Sequence, residues 1–237
     1  MKKGEIRKQE ILSTAEELFC RKGYEQTSIQ DIIDRLNTSK GSFYHHFASK
    51  DSLLEGICDN RAEQILQSVL SESNQSDSSA ERLNALLSGM IPFKNEKLRF
   101  LMMLLPVFSL PEGRLLRMYY AESLAARFHS PVRAEIARGS DIGELCCDDP
   151  ENAAMIVLFL VNRMWISITD LIIEEEKTHS APDFSEYLRL TECCRTCLER
   201  FLSLPYGSIV LTDLPLLRNL IVQVHNHWTY NNQKIQS

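Results

Sequence analysis

The chain has 237 residues, 44% of them hydrophobic, and a net charge of −6 at neutral pH, which excludes disorder as the default state and allows a substantial core. The charge is uneven: residues 1–50 hold nine Lys/Arg against seven Asp/Glu, and residues 51–237 hold 17 against 25. Only the first segment suits phosphate, and its bias is mild, so binding there must rest on specific contacts more than on bulk attraction.

Met1 to Glu10 is charged without an apolar stretch, and the longest apolar run, Ala153 to Val161, has nine residues. Neither a signal peptide nor a membrane span is therefore expected, and the expected location is the cytoplasm. Ile11, Leu12, Ala15, Leu18 and Phe19 recur at helical spacing until Gly23, with Arg21 and Lys22 in the last turn. This predicts a first helix with a left-handed glycine cap. Thr27 followed by Gln30 reads as a capping box opening a short second helix, whose apolar face is Ile29, Ile32, Ile33 and Leu36 and which Asn37 closes by accepting positive φ.

Thr38 or Ser39 caps a third helix reaching about Phe47, after a turn of three to four residues. Two short helices so joined form a helix-turn-helix. Phe43 and Phe47 lie one turn apart and anchor the third helix, leaving Lys40, Ser42, Tyr44 and His45 outside, as a DNA groove requires. Ser49 caps a fourth helix with a stripe of Leu53, Leu54, Ile57, Ile65, Leu66 and Val69. Ser71 to Ala80 is a polar loop ending in a Ser78/Glu81 capping box. Further helical patterns lie near 80–91, 95–110, 112–129, 150–176, 183–204 and 213–229. Without strand alternation or a repeat, the chain is predicted to be all-α.

The first helix, Thr27 to Leu36 and above all SKGSFYHHFASKDSLL from Ser39 onward resemble the N-terminal domain of the TetR/AcrR family of bacterial transcriptional regulators, over about residues 5–58. The resemblance implies a three-helix DNA-binding head (1–49), then a connecting helix and a larger helical domain (50–237) that dimerises through its last two helices and holds a small-molecule effector. Carried over by position, Lys40, Ser42 and His45 would face base edges, and Thr27, Ser39, Tyr44 and Lys50 would grip phosphates. The implied function is a repressor released from a palindromic operator by its effector.

In the second domain, the pattern 150–176 is apolar nearly all round, which requires burial on both sides. One side suits the chain's own bundle; the other, with Leu188, Leu190, Leu198, Phe201 and Leu202 of 183–204, suits a two-fold homodimer. Met102, Met103, Met118, Tyr119 and Phe128 lie on the helices that in the family surround the pocket, and Phe159 and Asn162 complete the candidate ligand set. Asn162 either pairs across the dimer or addresses the ligand. The stripe of Leu216, Leu217, Leu220, Ile221, Val224 and Trp228 predicts an extra C-terminal helix that packs across the dimer or covers the pocket.

Seven cysteines, an odd number, argue against a disulfide framework. Cys193, Cys194 and Cys197 sit at helical spacing and give an alternative thiol- or metal-sensing input, although a zinc site would need further ligands that the neighbouring sequence does not supply. No Gly-rich phosphate loop, HExxH or GxSxG is present, so no enzyme, cofactor or metal centre is expected.

Overall fold

A computed structural model describes the backbone of residues 3–73, 78–90, 95–111, 113–212 and 214–235, and side chains over 4–71, 78–90, 99–111, 113–212, 215 and 217–226. Among these residues the chain forms ten helices and no strand: α1 Lys3–Lys22, α2 Ile29–Arg35, α3 Lys40–His46, α4 Lys50–Ser73, α5 Ser79–Gly89, α6 Asn95–Phe108, α7 Gly113–Asp141, α8 Pro150–Thr178, α9 Phe184–Phe201 and α10 Leu214–Ile235. They fall into two compact units, residues 1–64 with 99–123, and residues 65–98 with 124–237.

The first unit is built on the predicted stripes. Ile11, Leu12, Ala15, Leu18 and Phe19 of α1, Ile32 and Ile33 of α2, Phe43 and Phe47, and Leu53, Leu54 and Ile57 of α4 are all buried. Gly23 caps α1 at φ +92, its N–H donating to the Phe19 carbonyl at 2.9 Å. Gly56 of α4 faces the Phe47 ring: a Cβ there would lie 2.8 Å from Phe47 Cε1 and 3.2 Å from Leu12 Cδ2.

The second unit departs from the sequence expectation in two places. The pattern near 112–129 continues as α7 to Asp141, passing through Pro131. Proline deletes one helical hydrogen bond and crowds the preceding turn, but Phe128, Val132 and Ile136, one turn apart on one stripe, are all fully buried and hold the helix together across it. At the start of α5, Ser78 Oγ accepts the Glu81 N–H as expected, while Glu144, 64 residues further on than Ala80, accepts the Ala80 N–H and the Ser78 hydroxyl, each at 3.1 Å.

Between α8 and α9, Glu175 accepts the Asp183 N–H at 2.8 Å and the fully buried Tyr187 hydroxyl at 2.5 Å. Burial first, then this hydrogen bond, pushes the Tyr187 phenol well above its ordinary pKa. The expected C-terminal helix exists as α10 and buries Leu217, Leu220, Ile221 and Val224 while packing on α8 of its own chain; Leu216 and Trp228 lie outside the described side chains. Among the described residues α8 is long and apolar enough to cross a membrane, with 44% of its most apolar window buried inside the chain.

Candidate nucleic-acid interface

The second helix opens one residue later than its sequence suggests. Ser28, not Thr27, is the cap: its Oγ accepts the Asp31 N–H at 3.1 Å, and Asp31 Oδ2 accepts the Ser28 N–H at 2.8 Å. The hydrogen bonds from the Ser28 hydroxyl and backbone, followed by that from Lys22, lower the Asp31 pKa to about 2. Thr27 is 1% exposed and donates its hydroxyl to the Gly23 carbonyl at 2.8 Å. The structure thus removes Thr27 from the phosphate-facing surface assigned to it, because its only hydroxyl proton is spent bracing the α1–α2 turn; Ser28 is exposed in its place.

Asn37 adopts φ +47 after α2, and Thr38 N–H returns to the Ile33 carbonyl at 3.1 Å. Only residues 36–39 separate α2 from α3. Ser39 caps α3, its Oγ accepting the Ser42 N–H at 3.1 Å.

Along α3 the sides divide as residue spacing demands. Phe43 is fully buried and Phe47 nearly so, with ring centroids 6.2 Å apart, whereas Lys40, Tyr44 and His45 are exposed and Ser42 is half-buried. Tyr44 keeps 52% of its surface open while its ring stands edge-on to Phe43. His46, which sequence reasoning left without a role, is half-buried with its ring between those of His45 and Phe47. Lys50 is half-buried, its ammonium 4.0 Å from the centroid of the Tyr24 ring, and Tyr24 donates to Asp51 at 2.5 Å. A cation over a ring face is attracted by the ring quadrupole, so the position of Lys50 is fixed from within the head. Sequence reasoning missed this aromatic seat, for which Tyr24, just past the glycine cap, was the available signal.

The candidate ligand residues are divided between the two units. Met102, Met103, Met118 and Tyr119 belong to the first unit, and Phe128, Phe159 and Asn162 to the second. Met103 and Phe128 are core, Met102 and Asn162 are half-buried, and Met118 is 44% exposed. Tyr119 donates to Asp59 at 2.9 Å, beside Ser123 donating to the same carboxylate at 2.5 Å. Burial and the Asp59 hydrogen bond push the Tyr119 phenol up to about 12. Phe159 is 67% exposed, on the outer side of α8 with Met155 and Ile156, because Val157, Leu158, Val161, Met164 and Ile168 fill the inner side. Phe159, expected in the ligand set, therefore stands open within one chain. The all-round apolar α8 is buried on one side only within the chain.

On α9, Cys194 is buried while Cys193 and Cys197 are exposed. Burial raises the Cys194 thiol to about 12. Further along, Arg195 is buried between Glu192 and Glu199, donating to Glu199 at 2.5 Å, and its guanidinium lies 4.3 Å from the Tyr206 ring centroid. Glu199 also accepts the N–H groups of Gly207 and Ile209, fixing residues 206–212 against α9 beside a cleft of about 290 Å³.

A helix-turn-helix whose second member is anchored by two rings and bare on the other side is the arrangement in which such motifs present a helix to a DNA groove, and the described residues around it are helical. Residues 11–57 match the model of bacterial regulatory proteins, tetR family. The uncharacterized HTH-type transcriptional regulator YerO of Bacillus subtilis (strain 168) is 29% identical over 118 residues, 48% of this chain and 40% of that protein. The biofilm operon icaADBC HTH-type negative transcriptional regulator IcaR of Staphylococcus aureus (strain Newman) is 28% identical over 153 residues, 65% of this chain and 80% of IcaR. A solved TetR-family transcriptional regulator from Pectobacterium atrosepticum shares the fold, with a TM-score of 0.56 at 18% identity over 85% of this chain and 97% of that one. The chain spans well under half the length of YerO. The head is thus similar to that of the tetR-family regulatory proteins, and the fold is that of a solved TetR-family regulator.

Proposed function

We propose that this chain is a DNA-binding transcriptional regulator: a homodimeric repressor in the cytoplasm that leaves a palindromic operator when a small-molecule effector binds. The observation that carries the reading is the division of α3, with Phe43 and Phe47 buried and Lys40, Tyr44 and His45 open to a groove. In that role residues 1–49 read DNA and residues 50–237 dimerise and hold the effector.

Lys40 donates to guanine O6 or N7, and Ser42 and His45 address neighbouring base edges. Ser39 accepts the Ser42 N–H and keeps its own proton for a phosphate oxygen; Tyr44, Lys50 and Ser28 contact the backbone on either side. The bare Met155, Ile156 and Phe159 of α8 and Phe201 of α9 supply the dimer face, an arrangement that needs a second copy to take them out of water. Met102, Met103, Met118, Tyr119, Phe128 and Asn162 remain the candidates for effector contact. The similarity to IcaR, a negative regulator, favours repression.

Selection of bound fragments from random duplex DNA tests the reading. The expected product is a palindrome with half-sites about 34–36 Å apart or a multiple of it. No enrichment at low ionic strength, or a site without two-fold symmetry, overturns it.

A further inference from the structure

We propose that Cys193 and Cys197 of α9, together with the same two residues of a second copy, form a four-thiolate site for a thiophilic divalent cation of the zinc class on the two-fold axis. This rests on the dimer reading above. It identifies where the ligands that one chain lacks come from.

The two residues are four apart, so their side chains stand one above the other on one helix side. Both are exposed, whereas Cys194, about 100° round the helix, is buried in the chain and is no ligand. Structural zinc takes four ligands in a tetrahedron with Zn–S near ~2.3 Å, and one chain offers half a tetrahedron here. Among the described residues no group of three or more His, Cys, Asp or Glu could hold a metal within a single copy.

The outer side of α9 also shows where a second helix fits. Arg189 and Arg200 are exposed at either end of it, and between them stand the small side chains of Cys193, Thr196 and Cys197, with Glu192 beside them held by Arg195. Helix axes approach to about 8 Å only over small side chains. A two-fold crossing at that point brings each pair against its copy, since an isologous contact doubles every group it contains. As the metal binds, each sulfur exchanges its proton for a metal–sulfur bond. Four protons leave to solvent, and no electron is transferred.

The test uses the full chain, reduced and freed of metal by a chelator. Sedimentation gives its oligomeric state, and Cd²⁺ is then titrated in while the thiolate-to-cadmium charge-transfer absorbance is followed, with Zn²⁺ as competitor. A dimer, formed before or upon metal addition, with an endpoint at half an equivalent per chain is expected. That endpoint is lost in Cys193→Ser and in Cys197→Ser and kept in Cys194→Ser, with helical circular dichroism unchanged in all three. An endpoint of one metal per chain, or one that Cys194→Ser abolishes, overturns the shared site. A dimer with no endpoint overturns the site and leaves the dimer standing; a monomer throughout overturns both.

Discussion

Phe43 and Tyr44 are neighbours in the chain and stand edge to face with ring centroids 5.4 Å apart, yet one is wholly buried and the other half open. Truncating them should therefore separate stability from recognition. Phe43→Ala is expected to cost about 3–5 kcal/mol by leaving a cavity, visible as a lower unfolding midpoint of the head. Tyr44→Ala should leave that midpoint within about 0.5 kcal/mol, as surface changes do, and weaken operator binding in a fluorescence anisotropy titration.

Lys40 and Lys50 should fail differently. Lys40→Ala is expected to relax base preference at one position at a cost of about 1–3 kcal/mol. Lys50→Ala should lower affinity for all sequences alike and reduce the slope of log K against log salt by about 1. Titrations on operator and random duplexes at several salt concentrations check both; equal losses on the two duplexes for both variants would refute the assignment.

The Ser28–Asp31 cap gives the head an acid limit. The Asp31 pKa is lowered from 3.8 to about 2, so its contribution is complete above the ordinary value and is lost as pH falls towards 2. Asp31→Asn should remove that portion of the acid dependence, measured as the difference between wild-type and variant unfolding midpoints at pH 6 and below pH 3.

Glu199 is almost completely buried and binds Arg195, Gly207 and Ile209 together. Glu199→Ala leaves a buried guanidinium short of one partner and two backbone donors without their acceptor. A loss of about 3–5 kcal/mol is expected, as for other broken buried pairs, along with earlier proteolysis after residue 204; chemical denaturation and limited digestion check the two parts.

Phe159→Glu should affect association without affecting folding. The residue contributes little to its own bundle at 67% exposure, so circular dichroism should hold while sedimentation shifts toward the monomer and operator affinity drops.

What the sequence revealed depended on whether the deciding forces were local. The left-handed Asn37, the glycine cap at Gly23 and the opposed sides of α3 follow from short-range geometry, and all three were readable. The shift of the α2 cap from Thr27 to Ser28 was not. Thr27/Gln30 and Ser28/Asp31 both resemble capping boxes, and the burial of Thr27 against the first helix settles which one forms. The passage of α7 through Pro131 was hidden for the same reason, since partners for Phe128, Val132 and Ile136 come from tertiary packing. Phe159 looked like pocket lining because an apolar residue in sequence carries no mark of which side of the helix the core will take.

The hydrogen atom that Gly56 has in place of a methyl group lets the Phe47 ring rest on α4, behind the reading helix. Substitution there by alanine would force the Phe47 ring or Leu12 to give way, leaving Lys40, Ser42, Tyr44 and His45 chemically intact. On the proposed reading, operator grip would change through a position set behind the helix and not on its exposed side.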